Sequence, residues 1–207
     1  MRYFVTGIGT NVGKTIVSAV LTEALQADYW KPVQSGTIEG RDSDTVKALI
    51  SNSKTVIHPE TYLLQQPLSP HFAAKLDSVE IDPDKITAPE TTNHFIIEGA
   101  GGLLVPLNNK DHVIDIAKQF DCEIILVISD YLGCINHSLL SLYYLKNHHY
   151  KIHSLIFNGD FATEVKEAIV RKAGDSRIIS IPQLAMLSKE SVLEAAKLIN
   201  LQNPSGF

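Results

Sequence analysis

Near its N-terminus the chain reads Gly7-Ile8-Gly9-Thr10-Asn11-Val12-Gly13-Lys14-Thr15. An apolar run, Tyr3-Phe4-Val5, precedes this segment, and a helical pattern from Ile16 to Leu25 follows it. Strand, glycine-rich loop, Gly-Lys-Thr and helix together form the arrangement of a phosphate-binding loop. Backbone N–H groups of such a loop converge on phosphate oxygens, and the next helix aims its positive end at the same anion. Lys14 would reach the terminal phosphates, and Thr15 would place its hydroxyl on Mg²⁺. Ile8 occupies the usual first-glycine position, with Gly7 one residue earlier, so the loop is a lengthened variant. The pattern implies a bound nucleoside triphosphate.

Other segments could act on the terminal phosphate. Lys31-Pro32-Val33-Gln34-Ser35-Gly36 puts a second cation at a strand end, where it could stabilise charge on a transferring phosphoryl group. Glu98 ends an apolar run and precedes Gly99-Ala100-Gly101-Gly102. A carboxylate there can hold Mg²⁺ directly or through water, and the glycines admit close backbone approach. Asp44 follows Arg41-Asp42-Ser43 at a helix start, where helix capping is the better reading of an isolated Ser-Asp pair. Leu132-Gly133-Cys134-Ile135-Asn136-His137 also opens a helix, whose N-terminus could receive an anion such as a carboxylate. Cys134 and His137 form no recognisable nucleophile–base or metal set. Asn158 follows another strand and could read a base edge, with Pro182-Gln183-Leu184 closing over that base.

These residues must be positioned by strands and helices. Apolar runs occur at Tyr3–Val5, Ala27–Lys31, Phe95–Ile97, Ile124–Ile128, Ile152–Phe157 and Ile178–Ile181. They are mostly continuous rather than alternating, as in strands covered on both faces. Helical patterns lie at Lys14–Gln26, Asp44–Asn52, Val113–Phe120, Ile135–Asn147, Thr163–Ala173 and Lys189–Leu201. Strand–helix alternation predicts an α/β fold: a mostly parallel β-sheet flanked by helices on both faces, like that of phosphate-loop NTPases. Ligands of such sheets bind beyond the carboxyl ends of strands, where the residues above fall. Residues 58–93 carry Pro59, Pro67, Pro70, Pro83 and Pro89 and read as an irregular crossover with one or two short helices. The tail 203–207 reads as frayed.

The 207 residues suffice for one core and a single domain spanning 1–207. Hydrophobic residues make up 44% of the chain, which argues against disorder. A net charge of −5 gives no general pull toward nucleic acid or anionic membranes. No signal peptide or bilayer-length apolar run is visible, and Cys122 and Cys134 make no disulfide framework. The expectation is a reduced, cytoplasmic protein.

In order along the chain, the segments resemble the dethiobiotin synthetase family. The shared pieces are Tyr3-Phe4-Val5-Thr6-Gly7, Thr10 with Val12-Gly13-Lys14-Thr15, Lys31-Pro32-Val33 with Ser35-Gly36, Ser43-Asp44 and Ser69-Pro70-His71. Further on they are Glu98-Gly99-Ala100-Gly101-Gly102 with Pro106, Leu132-Gly133-Cys134-Ile135-Asn136-His137, Asn158 and Ile181-Pro182. The resemblance implies an ATP-dependent, Mg²⁺-dependent ligase that carboxylates 7,8-diaminononanoate with CO₂ or bicarbonate and closes the ureido ring. It implies Lys14, Lys31 and Thr10 as catalytic residues, and Thr15, Asp44 and Glu98 as the Mg²⁺ set. Nucleotide contacts would come from Asn11, Val12, Gly13, Lys14, Thr15, Ile16, Asp44, Glu98, Gly99, Ala100, Gly101, Asn158, Pro182, Gln183 and Leu184. Thr10, Lys31, Ser35 and the Gly133, Cys134, Ile135 and Asn136 helix start would hold the diamine. The family also implies a homodimer in which that helix start serves the partner's site. Many members carry an acidic residue where this chain has Asn11, and often an aromatic where it has Gln183.

Two other classes share such a loop. Cobyrinic-acid-type synthetases carry a related nucleotide domain but need a glutaminase domain, for which 207 residues leave no room. Partition and positioning ATPases usually place a lysine early in the loop, where this chain has Ile8 and Gly9.

Overall fold

The computed structural model describes residues 1–202, so the tail expected to fray lies outside the described residues. The main sheet contains β1 (Arg2–Gly7), β2 (Asp28–Trp30), β4 (Ile57–His58), β6 (Phe95–Gly102), β7 (Glu123–Ser129), β8 (Ile152–Asn158) and β9 (Arg177–Ile181). Their spatial order is β4-β2-β6-β1-β7-β8-β9, and every pairing is parallel. A two-stranded parallel sheet pairs β3 (Val33–Ser35) with β5 (Tyr62–Leu64). The helices are α1 (Lys14–Leu25), α2 (Asp42–Leu49), α3 (Pro70–Leu76), α4 (Asp115–Gln119), α5 (Cys134–Asn147), α6 (Thr163–Val170) and α7 (Lys189–Gln202).

This order explains the composition of the strands. Tyr3, Phe4 and Val5 of β1 have no exposed surface, because β6 and β7 flank the strand and helices cover both faces. The connection from β1 to β2 runs one way along the sheet, and that from β7 to β8 runs the other. Right-handed crossovers therefore put α1 and α5 on opposite faces. The connectivity reverses at β1, so a crevice opens beyond its carboxyl end. The phosphate loop lies there.

The expected strands and helices all appear, with shifted ends. The glycine-rich segment after Glu98 is not a loop: β6 continues through Gly102, and Gly102 pairs with Gly7. The expected crossover contains α3 and a short 3₁₀ turn at Pro83–Lys85, and also β5. Three-residue strands such as β3 and β5 carry too little periodicity to be seen in the sequence. Among the described residues, no helix is long and apolar enough to cross a membrane.

Candidate active site

The phosphate loop is held from three sides. Ile8 N–H donates to Val127 O of β7 at 3.1 Å, and Lys14 Nζ curls back to Gly9 O at 3.1 Å. Asn158, at the end of β8, donates its side-chain amide to Val12 O at 3.0 Å. Gly13 has φ 86°, and a Cβ added there would lie 2.0 Å from Asn158 Nδ2. The third glycine of the motif is thus required both by backbone conformation and by space. Asn11 also adopts a left-handed backbone, φ 59°, a conformation that asparagine tolerates better than most residues. The first turn of α1 carries no acidic side chain of its own, which leaves its positive end open toward the loop.

Strand geometry delivers the charges. Tyr29 pairs with Ile96, and Trp30 with Ile97, in parallel register. Alternation then puts Tyr29 and Lys31 on the face that carries Ile96 and Glu98. Glu98 is wholly buried. Its Oε1 accepts from Lys31 Nζ and from Thr15 Oγ1, both at 3.0 Å, and its Oε2 accepts from Tyr29 OH at 2.9 Å. Lys31 also forms a short ion pair with Asp42 in the first turn of α2. Burial works against the Lys31 ammonium, but Glu98 and Asp42 outweigh it and raise its pKa above the usual lysine value. Lys14 behaves differently. Burial pushes its pKa down to about 8, with Lys31 acting in the same direction, while Glu98 and Asp42 oppose the shift.

The two acidic residues at the head of α2 part company. Asp44 was expected at the metal site, yet its carboxylate pairs with Arg41 at 2.8 and 2.9 Å on the outside of the helix. Its side chain is 58% exposed, against 31% for Asp42. The carboxylate that joins the cluster is Asp42, whose backbone N–H is also fixed by Gln34 Oε1 at 3.0 Å. Asp44, two residues on from Asp42, lies about 200° further round the helix and so projects away from Lys31, and the guanidinium beside it neutralises its charge.

The remaining expected residues fall around this centre. Thr10 is exposed at the loop apex, and its Oγ1 would be 3.7 Å from a Cβ on Gly101. The β6 extension therefore runs against the loop at Gly101 and Gly102, whereas the expected nucleotide contact Gly99 packs against Phe4 and Val113. Ser35 Oγ is buried without a hydrogen-bond partner. The start of α5 also approaches the loop: Tyr131 OH would be 3.7 Å from a Cβ on Gly9, and it hydrogen-bonds His137 Nδ1 at 2.7 Å. Gly133 has φ 108°, and Asn136 is exposed. Cys134 is buried with its Sγ 3.5 Å from Asp130 Oδ1, so its thiol packs inward. Val12 is buried and Ile16 half-buried, so their backbones rather than their side chains face the crevice. Pro182 and Gln183 are exposed beyond β9, with Leu184 half-buried beside them. Gln183 Oε1 lies 3.2 Å from the Cβ position of Gly159, which puts the segment alongside the end of β8.

Thr15 and Glu98 are hard oxygen donors already in mutual contact, as suits Mg²⁺, whose remaining positions are commonly filled by phosphate and water. Three residues of the centre escaped the sequence reading: Tyr29, Asp42 and Glu60. Glu60 is buried, accepts from Ser43 Oγ, and lies 3.7 Å from Arg41. The two-residue spacing of Tyr29 from Lys31 puts both on one strand face, but only the register with Ile96 sets that face toward Glu98.

Comparison with known proteins adds to the geometry. Residues 1–191 match a family described as AAA domain. The ATP-dependent dethiobiotin synthetase BioD of Cytophaga hutchinsonii is 47% identical over 192 residues, 92% of this chain and 93% of the relative. The BioD protein of Agrobacterium fabrum is 41% identical, covering 94% of this chain and 92% of its own. Among solved structures, a ParA family ATPase from Chlorobium tepidum superposes with a TM-score of 0.55 at 17% identity, over 97% of this chain and 91% of the other. The cell division ATPase MinD of Pyrococcus furiosus gives 0.55 at 15% identity, over 97% and 98%. At such identity the structural likeness is one of fold.

Proposed function

We infer the reaction from one premise: the chain belongs to the AAA domain family and, within it, to the ATP-dependent dethiobiotin synthetases. It is an ATP-using ligase of biotin biosynthesis. In the reaction that follows from this membership, one amine of 7,8-diaminononanoate adds to CO₂, drawn from bicarbonate, and gives a carbamate. A carbamate oxygen then attacks the γ-phosphorus of ATP, releasing ADP and forming a carbamic–phosphoric anhydride. The second amine attacks the carbonyl carbon, phosphate leaves, and the ureido ring closes.

The observation that carries this reading is the pair of buried ammonium groups, Lys14 and Lys31, placed about the buried Glu98. An ATPase switch needs to neutralise phosphate alone. A synthetase must also hold a carbamate beside the γ-phosphate and stabilise charge on both. Lys14 takes the phosphate side, where it already caps the loop at Gly9. Lys31 takes the carbamate side, and Ser35, whose buried hydroxyl has no hydrogen-bond partner, would turn it to the substrate. Thr10 contacts the diamine from the loop apex.

Bound Mg²⁺ would neutralise phosphate charge. Thr15, Glu98 and Asp44 would hold it, the last after leaving Arg41. Solvent screens that exposed pair, so exchanging it is inexpensive. Asp42 remains the counter-ion of Lys31. Asn158 keeps its amide N–H on the loop and turns its carbonyl oxygen to the base amino group, while Pro182, Gln183 and Leu184 close over the ring.

One domain carries the whole reaction, and the working form is a homodimer. Asn136, Leu140 and Tyr143 make an exposed stripe on α5, with Leu140 59% and Tyr143 72% exposed, continuous with a fully exposed Leu132. Pairing that stripe across a two-fold axis would bring the Gly133–Asn136 helix start to the partner's site, to receive the substrate carboxylate. The two free, buried cysteines suit a reduced cytoplasmic compartment. Neither nucleic acid nor membrane is a partner in this scheme.

The test is a mass spectrum of the product formed from diaminononanoate, bicarbonate and MgATP, paired with phosphate release. Dethiobiotin, with phosphate release that depends on the diamine, is expected. Equal phosphate release without the diamine would point to a partition-type switch instead. For the shared site, a Lys14→Ala subunit and an Asn136→Trp subunit are each expected to be poorly active as homodimers. Mixed and re-equilibrated, they should recover a fraction of parental turnover. No recovery despite mass-verified exchange would place the carboxylate contact within one chain.

A further inference from the structure

Glu98 has two carboxylate oxygens with unlike surroundings. Oε1 receives two donors, Lys31 Nζ and Thr15 Oγ1, whereas Oε2 receives one, the hydroxyl of Tyr29. Both side chains are sealed from solvent, so water offers Oε2 no substitute. We propose that Tyr29 is a positioning residue for Glu98: by holding Oε2 it keeps Oε1 turned toward Thr15 and the metal–nucleotide site. This rests on reading that site as one for Mg²⁺ and nucleotide.

The geometry supports the assignment. Tyr29 lies across from Ile96, a diagonal neighbour of Glu98 on the same sheet face. Its ring packs among core side chains, which leaves the hydroxyl little freedom to move elsewhere. Its hydroxyl donates to Oε2 at 2.9 Å without bringing a charge of its own. A neutral donor has a further advantage here. A third cation on Glu98 would weaken the carboxylate's hold on Mg²⁺, whereas a phenol orients it and leaves its charge intact. Without the hydroxyl, Oε2 would be a buried oxyanion with no partner. The carboxylate would then rotate to share Lys31 between its two oxygens, and Oε1 would leave Thr15.

Tyr29→Phe removes the hydroxyl and keeps the ring. MgADP and metal-free ADP binding are measured by calorimetry on the intact protein. The half-saturating Mg²⁺ concentration for ADP binding should rise about 10-fold, the scale of one hydrogen bond to a charged group. Metal-free ADP should bind as in the parent, and KM for diaminononanoate should stay within about two-fold, as uniform binding is untouched. A lowered thermal midpoint with an unchanged Mg²⁺ requirement would show that Tyr29 only packs the core, and the proposal falls. The same measurement on Glu98→Gln and on the double variant Tyr29→Phe/Glu98→Gln separates direct from indirect action. Equal Mg²⁺ requirements are expected for those two. A further 10-fold weakening in the double variant would mean Tyr29 acts independently of Glu98, which overturns the proposal. If the parent itself binds ADP no better with Mg²⁺ than without, the site reading fails, and the role of Tyr29 falls with it.

Discussion

At the carboxyl ends of β1, β2 and β6 the sheet buries Lys14, Lys31 and Glu98 as charges. At the amino ends of β1, β6 and β8 it encloses Tyr3, His94 and His153, and these are held neutral. Tyr3 stacks on His94 with ring centres 6.3 Å apart and meets His153 edge-on at 5.0 Å. Burial pushes the His153 pKa down to about 4, with Arg177 acting in the same direction, and lowers that of His94 as well. It also pushes the Tyr3 phenol up to about 12. Both ends therefore face the same desolvation cost and answer it differently. The upper end pairs Lys31 with Glu98 and Asp42 and leaves Lys14 on a backbone carbonyl, and so keeps a cation ready for an anionic ligand. The lower end avoids charge, and its titratable groups report on folding rather than on chemistry.

The sharpest way to break this contrast is Lys14→Ala. Turnover should fall on the order of 10²–10⁴-fold, because an ammonium aimed at the transferring phosphoryl group is lost. The thermal midpoint should hardly move, and near-normal turnover in the folded variant would remove Lys14 from the mechanism. A finer division lies within the upper end. Asp44→Asn should raise the Mg²⁺ requirement roughly 10-fold at little cost in stability, since its present pair with Arg41 is exposed. Asp42→Asn leaves Lys31 with a single counter-charge, so it should lower the thermal midpoint and turnover more than the Mg²⁺ affinity. If Asp44→Asn titrates with Mg²⁺ like the parent, Asp44 serves only the head of α2.

The smallest effect belongs to the lower end. The folded pKa of His153 lies below the ordinary 6.5, so between 6.5 and about 4 the unfolded chain binds more protons. That share of stability is complete above 6.5 and is lost as pH falls toward 4. His153→Gln should make the acid-side decline of the thermal midpoint shallower while leaving turnover near neutral pH unchanged. Identical slopes for variant and parent would show that His153 does not carry the effect.

The upper end was largely legible because its elements announce themselves locally. The loop from Gly7 to Thr15, the lysine after β2 and the carboxylate before a glycine run each follow an apolar strand. What the sequence concealed depended on register and distance. Tyr29 reads as an ordinary core aromatic until the pairing with Ile96 sets it beside Glu98. Asp42 and Asp44 are two residues apart, and only the phase of α2 decides which faces Lys31. The lower end was silent, since β6, α4, β7 and α5 all separate His94 from His153 and no motif links them.

The grip of Asn158 on Val12 joins residues 146 positions apart. The strands on either side of β1 are likewise distant, beginning at Phe95 and Glu123. During synthesis the phosphate loop emerges first and waits. A nascent chain that has exposed β1 and α1 has neither flanking strand nor clamp, and cannot fix the backbone that cradles a nucleotide. Such long-range pairing slows folding, and here it sets a sequence of events. Nucleotide affinity should appear late on the ribosome, after β8 has left the tunnel, so a truncated or stalled chain draws no ATP from the cell's pool.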